Sequence, residues 1–108
     1  MTNYNFGEVV LVAFPLLGTT KKRPALVVLD IGDADIVLAP ITTTKRIAPG
    51  DYELGDWSES GLLKESWVRL AKVACLEKSA IVRSLGLISN NDLSKLIDIW
   101  QNLYPQNK

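Results

Sequence analysis

Three short apolar runs, rich in β-branched residues and set off by proline or turn residues, constrain this chain more than any other feature. The first, Glu8–Phe14 (EVVLVAF), is too short for a helix and reads as a buried strand ended by Pro15. The second, Pro24–Asp30, opens on a proline whose missing N–H is tolerated at a strand's first position. Gly32-Asp33 fits a turn, and Asp35–Ile41 is the third run. The second and third runs therefore predict a hairpin with a loop of about four residues. Leu16–Lys22 reads as a loop, with Gly18, Thr19 and Thr20 supplying flexibility and hydroxyls, and Thr42–Pro49 as a second, basic one. Further on, Asp51–Leu54 fits a short edge strand and Gly55–Gly61 a turn. Ser66–Lys72 with Val73–Leu76 reads as one strand bent in its middle, and Ile81–Leu87 as a weaker strand carrying Gly86.

The periodicity changes once. Ser89 can cap a helix, with Asp92 at capping-box spacing. Leu93, Leu96, Ile97, Trp100, Leu103 and Tyr104 then form one apolar face, Ile99 lies off it, and Pro105 stops the helix. Short strands followed by one C-terminal helix predict a mainly β fold: a small curled antiparallel sheet or barrel with a helix packed on it. The 108 residues leave room for a single domain, 1–108.

Composition removes several chemistries. There is no histidine and only one cysteine, which excludes zinc sites, Ser-His-Asp triads and an intrachain disulfide. No cofactor or metal is expected. Basic and acidic residues balance at 12 each, so net charge implies no pull toward nucleic acid or membrane. No apolar run approaches the ~20 residues of a membrane span, and Met1–Glu8 lacks a secretory pattern. The expected location is the cytoplasm.

Charge is instead concentrated locally. Thr19-Thr20-Lys21-Lys22-Arg23 and Thr42-Thr43-Thr44-Lys45-Arg46 lie at the same end of the predicted hairpin. Together they bring cations and hydroxyls, the inventory a phosphodiester requires. The bland alternative is a pair of solvated turns. The acidic segment Asp51–Glu59 weighs against a uniformly basic groove and reads as a solvated loop. Cys75 reads as a small buried hydrophobe, and Trp100 as core. Trp67 fits core or a dimer contact, with core favoured; Trp57 either stacks on a base or lies over the barrel end. Arg69 shares a strand face with Trp67 and either pairs with a carboxylate or reaches the phosphate site.

Five segments in order carry a resemblance. Gly7-Glu8-Val9-Val10-Leu11-Val12, Lys22-Arg23-Pro24-Ala25-Leu26-Val27-Val28, Ala39-Pro40-Ile41-Thr42-Thr43, the Gly61–Arg69 segment (GLLKESWVR) and Leu85-Gly86-Leu87-Ile88-Ser89 resemble the motifs of the MazF/PemK-like toxins of bacterial toxin–antitoxin pairs, the mRNA interferases. The resemblance spans Gly7 to about Leu103. It implies an SH3-like β-barrel with a C-terminal helix, a homodimer, and metal-independent, sequence-specific cleavage of single-stranded RNA. It assigns Arg23 and Thr42 as catalytic and places Arg69 at the site. One departure stands out: Ala71 occupies a position where some members carry an aspartate.

RNA supplies its own nucleophile, the 2′-hydroxyl. Arginine, with a pKa above ~12, is a poor general base but binds phosphate oxygens bidentately as charge builds. Arg23 is therefore expected to stabilise the transition state. Thr42 is expected to bond the phosphate or orient the 2′-hydroxyl. Thr19, Thr20, Lys21, Lys22, Thr43, Thr44, Lys45, Arg46 and Arg69 form the expected substrate-binding set, and the general base is unassigned. A cognate antitoxin, acidic and disordered until bound, is the expected protein partner. Two alternatives remain at this stage: a CcdB-like gyrase poison acting by binding, and an inactive SH3-like interaction module.

Overall fold

The computed structural model describes residues 3–16 and 19–103, with side chains from 3–13 and 21–103. Seven strands precede one helix: β1 Glu8–Leu16, β2 Thr19–Leu29, β3 Asp35–Thr42, β4 Asp51–Glu53, β5 Trp67–Arg69, β6 Ala74–Glu77, β7 Ile81–Leu87 and α1 Asn90–Leu103. All pairings are antiparallel, in the order β4-β5-β3-β2-β1-β7, with β6 also on β3. β5 pairs the C-terminal end of β3 and β6 its N-terminal half. Between them the 3-10 turn Leu70–Lys72 makes the expected bend. The outer strands β4 and β7 do not pair, so the sheet is curled but not closed by hydrogen bonds.

Strands β1 to β3 read as continuous apolar runs because both of their faces are buried. Val9, Leu26, Ala39 and Ile41 join Val68, Leu70, Ile88 and Leu96 in one cluster. Val10, Val12, Ala25, Val27, Ile36 and Leu38 form the other, covered by Tyr4, Leu76, Ala80 and Ile81. Trp67 is buried at 8% exposure, and Trp57 and Trp100 pack against the first cluster.

Several expectations need correction. Pro15 does not end β1, which continues through Pro15–Thr20 and Leu16–Thr19 pairs. The proline is tolerated because β7 leaves β1 after Val12, so beyond that point β1 is paired on one side only. Lys21 and Lys22 thus lie on a strand and not in a loop. Leu17 and Gly18, and at the other end Tyr104 and Pro105, lie outside the described residues. Cys75 is exposed, because β6 packs its edge on β3 and leaves three of its four residues in solvent. On α1, Ile99 packs on the core and Ile97 is 38% exposed, the reverse of the expected stripe. At ~100° per residue, Ile97 lies further from the Leu96–Leu103 line than Ile99 does.

Two buried carboxylates tie the periphery down. Asp30 accepts the Tyr4 and Gly32 N–H groups at 2.7 and 2.8 Å and pairs with Lys78 at 2.8 Å. Lys78, aided by those N–H groups, holds it below the usual carboxylate range against the opposing effect of burial. The β2–β3 turn it anchors has five residues, 30–34, one more than expected. At the helix start, Ser89 Oγ accepts the Asp92 N–H, the first half of a capping box. The Asp92 carboxylate does not reciprocate. It accepts the Tyr52 hydroxyl at 2.6 Å and the Gly55 and Asp56 N–H groups at 2.9 Å each, with no exposed surface. Burial raises the Asp92 pKa, but these donors outweigh it and the carboxyl sits below its ordinary value. Burial, and then the bond to Asp92, pushes the Tyr52 phenol well above its ordinary value. The segment expected to be a solvated acidic loop is therefore partly internal. Asp51 is paired, and Asp56 accepts the Ser89 hydroxyl at 2.6 Å.

Candidate active site

The β2–β3 ladder brings the two threonine-basic segments together. Its register pairs Ala25 with Pro40 and Leu26 with Ala39; Arg23 lies two residues beyond Ala25 and Thr42 two beyond Pro40, at the same end of the ladder. Alternation puts both on the face that carries Ala25, Val27, Ile36 and Leu38. At this end of the ladder lies a cleft of about 390 Å³ lined by Lys21, Lys22, Arg23, Pro24, Ile41, Thr42, Thr43 and Thr44.

The cleft's chemistry is one-sided. No carboxylate or imidazole is among its lining residues. Lys21, Lys22 and Arg23 are exposed, and among the described residues none has a side-chain ion pair or hydrogen bond. Among the described residues their donors meet no acceptor, and Arg23 offers a planar fork suited to two phosphate oxygens. Thr42 Oγ1 accepts the Thr44 N–H at 3.1 Å. That bond fixes the hydroxyl position and leaves its proton to donate outward. Among the described residues no group of three or more His, Cys, Asp or Glu is placed to hold a metal ion.

Other expected site residues fall elsewhere. Thr19 and Thr20 are on β2 opposite Leu16 and Pro15, and their side chains are not among those described. Lys45 and Arg46 are exposed beyond β3 and do not line the cleft. Arg69 does not line it either. Its Nε donates to Asp51 Oδ1 at 3.1 Å, and the Asp51 side chain is only 1% exposed. Of the two roles open to Arg69, the geometry displays the ion pair. Asp51 also accepts the Ala48 N–H at 3.0 Å, which closes the turn before β4. Within that turn Gly50 has a φ of +89°, and a Cβ there would lie 2.9 Å from Ala71. The missing Cβ at Gly50 thus lets the turn that presents Asp51 to Arg69 close against Ala71.

A second cavity of about 630 Å³ shares Pro24 and Thr43 with the first and is also lined by Leu11, Gly61, Leu62, Leu63, Lys64, Ser66, Arg83 and Leu85. No local feature of the sequence marks Arg83. The signal lies in pairing: Leu11 stands between Pro24 on β2 and Arg83 on β7. That row appears only once three strands are in register.

A curled antiparallel sheet, a C-terminal helix and a cation–hydroxyl cleft at one end of the ladder define a small, mainly β protein. Residues 5–100 match the family model of the PemK-like, MazF-like toxins of type II toxin–antitoxin systems, and the chain belongs to that family. No curated protein matches it in sequence. Among solved structures it is similar to an endoribonuclease from a Mycobacterial species, with a TM-score of 0.73 and 22% identity over 97% of this chain and 98% of that one. A Mycobacterial endoribonuclease in complex with its cognate antitoxin matches with a TM-score of 0.71 and 23% identity, covering 94% and 97%. The Mycobacterium tuberculosis toxin MazF-mt6 matches with a TM-score of 0.69 and 21% identity, covering 86% and 93%. At these identities the likeness establishes the fold. No helix among the described residues is long and apolar enough to cross a membrane.

Proposed function

We propose that this chain is the toxin of a type II toxin–antitoxin pair and cleaves single-stranded RNA by attack of the 2′-hydroxyl, with no metal required. The observation that carries the reading is the juxtaposition of Arg23 and Thr42 across β2 and β3, in a cleft lined by cations and hydroxyls. Membership of the toxin family supports it. So do the endoribonucleases of the same fold.

The chemistry follows from the donor set. The 2′-hydroxyl gives its proton to solvent, its oxygen bonds to the adjacent phosphorus as the P–O5′ bond breaks, negative charge accumulates on the non-bridging oxygens, and the 5′-oxygen leaves and takes up a proton. In this reading Arg23 neutralises that charge with two parallel N–H bonds and passes a proton to the leaving oxygen, regaining it from solvent. Thr42 donates its free hydroxyl proton to a phosphate oxygen. Lys21, Lys22 and Thr43 hold the flanking backbone. The lining offers no carboxylate to bind a hard cation and no imidazole or carboxylate to act as general base. The products are a 2′,3′-cyclic phosphate and a 5′-hydroxyl.

The partners follow the same logic. An acidic antitoxin segment competes with RNA for Lys21, Lys22 and Arg23, and the toxin acts as a homodimer in the cytoplasm, where its RNA is found. The test is to incubate the purified protein with a long RNA in excess EDTA and map the ends. Cyclic-phosphate and 5′-hydroxyl ends are expected, and deoxyribose at the cut position should block cleavage. Magnesium dependence or 3′-hydroxyl products would overturn the mechanism. Intact RNA together with gyrase inhibition would point to a binding poison instead.

A further inference from the structure

The second cavity lies outside the cation–hydroxyl cleft yet adjoins it. Pro24 and Thr43 line both, so the second cavity continues directly from the cleft that holds Arg23 and Thr42. At about 630 Å³ it falls in the ~300–1,000 Å³ range of small-ligand sites. Its surface has two parts. Leu11, Pro24, Leu62, Leu63 and Leu85 are apolar, while Lys64 and Arg83 are exposed cations without an ion pair among the described residues.

Leu63 is 92% exposed, an unusual position for a large aliphatic side chain unless something covers it. The loop that carries it is firmly held. The Leu62 and Ser60 N–H groups both donate to the Trp57 carbonyl, and Ser66 Oγ donates to the Lys64 carbonyl at 2.8 Å. Gly61, at a φ of +86°, lies so close to β7 that any Cβ would overlap the Leu85 carbonyl. The apolar wall is therefore preorganised.

We propose that this cavity holds the nucleotide next to the scissile phosphate, its base against the leucines and its phosphate on Arg83 and Lys64, and so selects the sequence that is cut. The proposal rests on the RNA-cleaving reading and extends it from chemistry to specificity. Unstacked bases of single-stranded RNA are held against aromatic or apolar side chains and read by hydrogen bonds to their edges, which the Thr43 hydroxyl and the cations at this cavity's rim can supply. Charge complementarity and continuity with the cleft favour RNA over an uncharged partner.

The experiment uses Leu63→Ser and Arg83→Gln, both changes at exposed side chains. Two readouts are compared with the unaltered protein: sequenced cut sites on a long RNA, and affinity for a random, fluorescein-labelled 2′-O-methyl heptanucleotide pool that cannot be cleaved. Leu63→Ser should broaden or shift the cut-site sequence and weaken oligonucleotide binding about tenfold, on the scale of losing the burial of one leucine side chain. Arg83→Gln should lower the slope of log affinity against log salt by ~0.7, one single-strand phosphate contact. If the unaltered protein cuts RNA but both variants keep its cut sites, affinity and salt slope, the subsite is refuted and the nuclease stands. The same result with weakened antitoxin binding also refutes it and makes the cavity a protein-docking groove. If the unaltered protein does not cut but the pool binds with the predicted variant effects, the nuclease reading fails and the subsite survives. Neither cutting nor binding overturns both.

Discussion

Asp92→Asn is expected to cost this domain a large share of its stability, although it changes one oxygen for one NH2. The carboxylate has no exposed surface and accepts three donors, the Tyr52 hydroxyl at 2.6 Å and two N–H groups at 2.9 Å. An asparagine carbonyl can serve two of them, and its NH2 then faces the third donor. Losing one hydrogen bond to a charged acceptor costs about 1.5–3 kcal/mol. Removing a negative charge from the first turn of α1 adds ~0.3–1 kcal/mol. The expected loss is therefore about 2–4 kcal/mol, against a typical domain stability of ~5–15 kcal/mol. Urea denaturation followed by tryptophan fluorescence would measure it, with the slope m unchanged if the unfolded state is unaffected. The sign of the pH dependence is also set. A carboxyl held below its unfolded value contributes stability above about pH 3.8 and loses it as pH falls through the lower folded value. The variant should have a shallower acid limb. A loss under ~1 kcal/mol, or an unchanged acid limb, would refute the claim that this network clamps the helix to the sheet.

Arg23→Ala should lower kcat/KM for RNA about a hundredfold, near 3 kcal/mol of transition-state stabilisation, with unchanged melting; Arg23→Lys should recover part of this, since charge returns without the fork. Thr42→Val should be milder, and single-turnover cleavage rates would rank the three. Arg69→Ala should act mainly on stability, by about 3 kcal/mol, because it strands the buried Asp51 carboxylate; a large fall in cleavage with unchanged denaturation would restore it to the substrate-binding set. Tyr52→Phe should flatten the alkaline limb. The raised phenol favours the folded state fully below about pH 10, and that stability is lost as pH rises toward the higher folded value. Light scattering should report a dimer, and a monomer at micromolar concentration would count against the proposed assembly.

The main elements were legible in the sequence because their signals are local. The β-branched runs of β1 to β3, the cap at Ser89 and the 3–4-residue spacing along α1 each act within a few residues of chain. Arg23 and Thr42 were legible for a related reason: a hairpin has a defined end, and both residues lie near it. What misled was also local. Pro15 looks like a terminator until β7 is seen to leave that part of β1 unpaired. Cys75 looks like core until β6 is seen as an edge strand. Arg69 stood between two partners because a spacing names a face but not what lies across it. Asp51, Asp92 and Tyr52 are polar residues with ordinary neighbours in the chain, and only folding brings their donors from residues up to 40 positions away. The leucine-lined cavity beside the cleft is the same kind of feature, assembled from Leu11, Leu63 and Arg83 on separate segments. Local hydrogen-bonding preference and side-chain period are properties of the chain. Which charge is paired, which is left free, and which apolar side chain remains uncovered depend on contacts between distant segments, and these exist only once strand register and sheet curl have been set.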